Sequence, residues 1–256
     1  MNSIFSHDEL QRYGRQMVLD RWGEEGQTKL KNSNILIIGA GGLGSSVLSY
    51  LACVGIGHIG IVDDDRVELS NLNRQIIHET GDIGSQKIMS AKERIYELNP
   101  HIDVTGYATR LSSENASDLV ASYDLIIDCV DNFQTRYVIN QICYTLKKTW
   151  IYCAIRGFEG QLSSFDPAQQ HNHACYQCFV PSVPHHYNDC SERGAVGSVL
   201  GVMGSLSVME AIKIIIGYER PLYNTLLRYH ALQCDFKKSQ IMKDPECLVC
   251  SKNKAC

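Results

Sequence analysis

Gly39-Ala40-Gly41-Gly42-Leu43-Gly44 sets glycines in a G-x-G-x-x-G spacing. A backbone without side chains at those positions can approach a phosphate, and a helix that starts there offers free N–H groups to it. Asp63 follows roughly 20 residues later, the interval at which a carboxylate at the end of the next strand accepts hydrogen bonds from ribose hydroxyls. The glycine pattern alone is a weak signal that a plain strand-to-helix turn also satisfies, and it serves NAD and ATP alike. Three further groups favour ATP. Ser70-Asn71-Leu72-Asn73-Arg74-Gln75 supplies polar groups able to surround a triphosphate. Lys87, near the start of a later helix, supplies positive charge for α-phosphate oxygens during an in-line displacement. Asp131, followed by Asn132, offers a hard oxygen ligand of the kind Mg²⁺ takes when it is shared with phosphates. Arg136, one helical turn past Asn132, is either a supplement to that phosphate site or an ordinary helix-face cation.

A second constellation is built from sulfur. Cys175 and Cys178 form one C-x-x-C pair, Cys247 and Cys250 another. Four thiolates close a tetrahedral structural Zn²⁺ site, with no open position for catalysis. The long interval between the pairs, residues 179–246, means that such a site ties the tail back onto the body. A redox dithiol is the rival reading for a single pair. His171, His173, His185 and His186 lie nearby but are read as loop residues, because four cysteines already complete the ligand set. Cys53, Cys129, Cys143, Cys153 and Cys234 fall in expected helices or strands and read as small apolar core residues.

The elements that must position these groups follow from periodicity. Ser6-His7-Asp8-Glu9 is a capping box opening a helix to about Leu19, with a second helix across 24–31. Asn34–Ile38, His58–Val62, Ile102–Tyr107, Asp124–Cys129 and 149–154 read as strands. Helices at Leu43–Cys53, Ser85–Leu98 and 133–146 alternate with them, which implies a parallel sheet covered on both faces. Beyond Arg156 the pattern changes to a strand at Gly160–Phe165, a His/Pro/Cys/Ser-rich stretch over 166–198, an apolar helix at Ser198–Ile216 and two strands across 225–239. The expectation is one α/β domain with a doubly wound, Rossmann-like, mostly parallel sheet. Residues 1–155 form its nucleotide-binding core, and 156–256 a zinc-tied extension adding strands to the same sheet.

Composition narrows the partners. The 256 residues are 44% hydrophobic, enough for one sizeable core, and the formal net charge is −4. With no Lys/Arg run, neither nucleic acid nor an anionic membrane is an expected partner. The opening residues carry no basic-then-apolar signal, so a cytoplasmic location is expected. Eleven cysteines, an odd number in a chain of this length, point to thiolate or metal chemistry rather than a disulfide framework.

Taken together, Arg12-Tyr13-Gly14-Arg15-Gln16, Ile38 through Gly44, Ser70–Gln75, Cys129-Val130-Asp131-Asn132, Gly201-Val202-Met203-Gly204-Ser205 and the paired cysteines resemble the ThiF/MoeB/HesA adenylyltransferases, relatives of the ubiquitin-activating enzymes. The resemblance covers nearly the whole chain. It implies a homodimer in which Asp63 holds the ribose, Arg74 and Lys87 contact the phosphates, Asp131 binds Mg²⁺ and Arg15 reaches across from the neighbouring subunit. It further implies that the substrate is a small ubiquitin-like sulfur carrier protein ending in Gly-Gly, adenylated at its terminal carboxylate with release of pyrophosphate. Such carriers feed molybdopterin or thiamine synthesis. Cys190, by itself an ordinary loop thiol, matches the loop cysteine that in some members of the family joins covalently to the activated carrier. With no sulfurtransferase domain after position 256, a separate sulfur donor protein is expected. An NAD-dependent oxidoreductase and a non-catalytic carrier-binding module are the alternatives.

Overall fold

The computed structural model describes residues 4–168, 173–183, 194–218 and 220–251. Eight strands form one sheet: β1 Asn34–Ile38, β2 His58–Val62, β3 Asp103–Tyr107, β4 Leu125–Asp128, β5 Thr149–Arg156, β6 Glu159–Phe165, β7 Thr225–His230 and β8 Asp235–Gln240. Their spatial order is β3-β2-β1-β4-β5-β6-β7-β8. The first five are parallel, and β6, β7 and β8 add on antiparallel. The extension therefore continues the same sheet, as its two tail strands lead one to expect.

Eight helices accompany the sheet among the described residues: α1 His7–Met17, α2 Gly23–Lys31, α3 Gly42–Val54, α4 Lys87–Leu98, α5 Ala116–Ala121, α6 Phe133–Leu146, α7 Tyr176–Phe179 and α8 Gly197–Ile216. The Ser6 capping box forms as its sequence dictates, with Ser6 Oγ accepting from Glu9 N and Glu9 Oε2 accepting from Ser6 N. The short α5 carries no strong periodic signal and is not expected from sequence.

Side-chain alternation on β1 divides the core. Ile35 and Ile37 pack on one face with Val47, Leu48 and Leu51 of α3, Ala91 and Ile95 of α4, and Val208 and Ala211 of α8. Leu36 and Ile38 point to the other face, with Val120 of α5, Ile139 and Cys143 of α6, and Trp150. A strand buried on both faces needs a continuous apolar run, which is why the β1 sequence is Ile-Leu-Ile-Ile after Asn34. The helix α8 is long and apolar enough to cross a bilayer by length and composition. Here it packs against α3, β5 and β6 instead.

β1 lies between β2 and β4, so the chain leaves β1 one way along the sheet and later returns to its other side. That reversal opens a crevice beyond the carboxyl ends of β1 and β4, where ligands of open α/β sheets bind.

Candidate functional site

The glycine turn sits in that crevice. Gly39 has φ +100°, and a Cβ there would lie 2.8 Å from the Cys129 carbonyl oxygen. At Gly44 a Cβ would come within 2.1 Å of the Gly39 carbonyl oxygen. These two glycines let β1, the start of α3 and the end of β4 crowd together. Gly41 differs, because a Cβ on it would meet nothing nearer than Gln75 Nε2 at 3.9 Å. The turn is thus closed on its protein side and open at Gly41, the N-cap of α3, which suits an anion approaching the helix N-terminus.

Asp63, at the end of β2, spans its own turn and the glycine turn. Its Oδ2 accepts from Ala40 N at 2.7 Å and its Oδ1 from Asp65 N at 2.9 Å. Arg74 lies over Gly42, its Cγ 3.4 Å from where a Cβ would be, and its Nη1 donates to Ser70 O and Asn73 Oδ1. Lys87 opens α4 with its side chain 6% exposed, and its Nζ is 2.8 Å from Asp65 Oδ2. An ammonium has three N–H donors, so one bond to Asp65 leaves capacity for phosphate oxygens. Gln75 Oε1 is buried beside Gly41 with no partner among the described residues, an acceptor left open at the site.

Asp131 is exposed in the turn after β4. Beneath it, Arg136 of α6 donates from Nε to Asp128 Oδ2 at 2.9 Å and from Nη2 to the Val130 carbonyl, while Asp128 Oδ1 accepts from Val130 N at 2.9 Å. Burial pushes the Asp128 carboxyl pKa up, and the Arg136 guanidinium beside it pulls it back down. Arg136 therefore belongs neither to a phosphate site nor to a solvated helix face: it is a buried brace for the turn that presents Asp131.

Several predicted groups do structural duty. Asn132 caps α6, its Oδ1 accepting from Thr135 N at 2.9 Å. The Asn71 side chain accepts from Glu68 N within its own turn, and Ser70 Oγ donates to Glu68 Oε2. Leu72 is half-buried, while Asn73 is exposed and contributes the acceptor for Arg74. Arg15 stays outside the crevice of its own chain. Its neighbour Gln16 donates to the Val54 carbonyl at the C-terminal end of α3, and the 13 residues of that helix put roughly 20 Å between that end and the glycine turn. Cys190, with His171, His185 and His186, lies outside the described residues.

Sequence reasoning missed His78. Its Nε2 is 3.1 Å from the Ala40 carbonyl oxygen and its Nδ1 2.7 Å from Ser90 Oγ. Burial lowers its pKa, opposed by the hydrogen bond to Ala40. No spacing rule marks a single histidine in a loop, so nothing local signals this contact.

The cysteine cluster forms as expected. Cys175, Cys178, Cys247 and Cys250 bring all four Sγ atoms within 4.8 Å of one another. Individual separations are 3.5 Å for Cys175–Cys247, 3.3 Å for Cys178–Cys250 and 4.0 Å for Cys175–Cys178. A tetrahedron of Zn–S bonds has sulfurs about 3.8 Å apart, so the donor set fits Zn²⁺ with little adjustment. From α6, Asn140 Nδ2 donates to Cys175 Sγ at 3.7 Å and Tyr144 OH to the Cys250 carbonyl at 3.5 Å, support of the kind that orients metal ligands. Cys129, Cys143 and Cys153 are buried core thiols, but Cys53 and Cys234 are exposed, against expectation. Cys53 falls on the outer side of α3, and Cys234 in a left-handed turn between β7 and β8 at φ 50°.

A cavity of about 430 Å³ lies elsewhere, lined by Ser113, Tyr137, Gln141 and Gln177 among others, and contains none of the predicted site residues.

Residues 13–249 match the ThiF family. The chain belongs to the ThiF family. Among its relatives, a sulfur carrier protein adenylyltransferase of Thermus thermophilus is 42% identical over 96% of this chain and 92% of its own length. A probable molybdopterin-synthase adenylyltransferase of Porphyra purpurea is 42% identical over 94% of this chain but 63% of its own length. The adenylyltransferase and sulfurtransferase UBA4 of Candida albicans is 43% identical over 97% of this chain and 58% of its own length. This ThiF-family chain thus spans nearly all of the first relative and about three fifths of the other two. The fold is that of E. coli MccB, solved with ATP, at a TM-score of 0.82 with 23% identity, covering 98% of this chain and 76% of that one.

Proposed function

We propose that this chain adenylates the C-terminal carboxylate of a small ubiquitin-like sulfur carrier protein ending in Gly-Gly, using ATP and releasing pyrophosphate. The observation that carries the reading is the meeting of the open glycine turn with Asp63, Arg74 and Lys87 at one sheet crevice. The sulfur carrier specificity is supported by the Thermus relative's name over nearly equal lengths.

A carboxylate is ionised at neutral pH and needs no general base, so the work is positioning and charge stabilisation. The turn and the α3 N-terminus receive the phosphates, and Arg74 with Lys87 offsets the negative charge that gathers on the α-phosphate as carboxylate oxygen attacks and pyrophosphate leaves. Asp63 accepts from the ribose hydroxyls with lone pairs left over from Ala40 and Asp65. Asp131, exposed on its braced turn, would hold Mg²⁺, which supplies further positive charge beside the phosphates. The working unit is a homodimer, in which the partner's Arg15 completes the crevice that a chain's own Arg15 does not reach. Zn²⁺ on the four cysteines is structural, and sulfur comes from a separate donor protein.

The test is ATP–pyrophosphate exchange with a Gly-Gly-ended carrier. Carrier-dependent exchange is expected; tight NAD binding with no exchange for any such carrier would favour an oxidoreductase instead.

A further inference from the structure

Ala40 is held at both of its backbone polar groups, one in each of the two peptides that flank it. Its N–H donates to Asp63, and its carbonyl oxygen lies 3.1 Å from His78 Nε2. A carbonyl oxygen only accepts, so Nε2 carries the proton. On the far side of the ring, Ser90 Oγ sits 2.7 Å from Nδ1 and 2.6 Å from Asp82 Oδ2, with one hydroxyl proton to give between them, so Ser90 links the ring to Asp82. His78 is 6% exposed, too enclosed to swing away without disturbing its neighbours.

The placement of these partners matters. Ser90 lies in the first turn of α4 with Lys87, and His78 follows Arg74 in the same loop, its N–H donating to the Gln75 carbonyl at 3.1 Å. One imidazole therefore joins the three segments that carry the glycine turn, Arg74 and Lys87. In a planar trans peptide the C=O and the following N–H point in opposite directions. Holding the Ala40 carbonyl on His78 consequently aims the Gly41 N–H away from the ring. A peptide flip at this point would turn that donor inward.

We propose that His78 is a positioning residue of the nucleotide site, which fixes the Ala40–Gly41 peptide against α4 so that the turn's N–H donors stay directed at the phosphates. This inference rests on the nucleotide reading above. His78 touches no reacting atom and acts only through Ala40.

The experiment compares His78→Asn with His78→Gln in the exchange assay. The glutamine amide nitrogen reaches close to the position of Nε2, whereas that of asparagine reaches only the position of Nδ1. Losing the clamp in His78→Asn is expected to raise the ATP KM roughly tenfold, with kcat and the carrier KM within about twofold, while His78→Gln restores the ATP KM to within about threefold of wild type. Binding of α,β-methylene-ATP should weaken in parallel. An unchanged ATP KM in His78→Asn, or equal losses in both variants, overturns the proposal. Should His78→Asn fail to fold, Ser90→Ala frees the ring from Asp82 and is expected to raise the ATP KM about threefold at constant kcat; no change there overturns it as well. A wild type lacking carrier-dependent exchange would instead contradict the nucleotide reading itself.

Discussion

Arg136 and Asp128 carry opposite charges inside the protein, with side chains 6% and 0% exposed. Each is expensive to bury alone. Because Arg136 also binds the Val130 carbonyl and stacks its guanidinium over Tyr152 at 5.3 Å, the pair is locked to the turn bearing Asp131. Arg136→Ala leaves the Asp128 carboxylate unpaired and should lower the unfolding free energy by about 3–5 kcal/mol, read from urea denaturation. A loss below about 1 kcal/mol would mean that the pair does not brace the turn. From sequence, Arg136 reads as either a phosphate ligand or a surface cation, since its partner sits in another element and burial has no local signature. Asp63 and Lys87 are legible because strand ends and helix starts fix where they fall. His78, Ser90 and Asp82 are not, because their connection exists only after α4 packs beside the glycine turn.

At the scale of elements, the apolar runs of β1, β2 and β4 and the helices between them are readable because period and turn residues agree. Strand order is less so: that β4 returns to the other side of β1 follows from the rules of doubly wound sheets rather than from any residue in β4. The exposure of Cys53 is not legible in the sequence, because membership of a helix does not fix burial and α3 has an outer side. The cysteine cluster joins α7 to the tail at 247–250 across most of the extension, with three of its four residues buried at that junction. Removing the metal should therefore loosen the tail first. Metal analysis is expected to give about one Zn²⁺ per chain, and chelation or Cys175→Ser should lower Tm and expose the tail to protease before ATP affinity falls. A metal-free preparation with unchanged Tm and full activity would refute a structural zinc.

At the scale of the whole molecule, Arg15 is the residue that one chain cannot account for. It lies at the wrong end of α3 for its own crevice, so a role in catalysis requires a second subunit. Mixing Arg15→Ala with Asp131→Ala protein under subunit exchange tests this, since only mixed dimers contain a site with both groups. If both single variants are inactive, a random mixture should recover about a quarter of wild-type exchange, and a mixture that stays inactive would return Arg15 to its own chain or remove it from the mechanism. The central claim is chemical and calls for its own measurement. Labelled pyrophosphate should enter ATP only when wild-type protein is incubated with a carrier whose C-terminal Gly-Gly is intact, and a carrier lacking the last glycine should give none. Equal incorporation with and without that terminus, or none with any Gly-Gly carrier, would contradict the account.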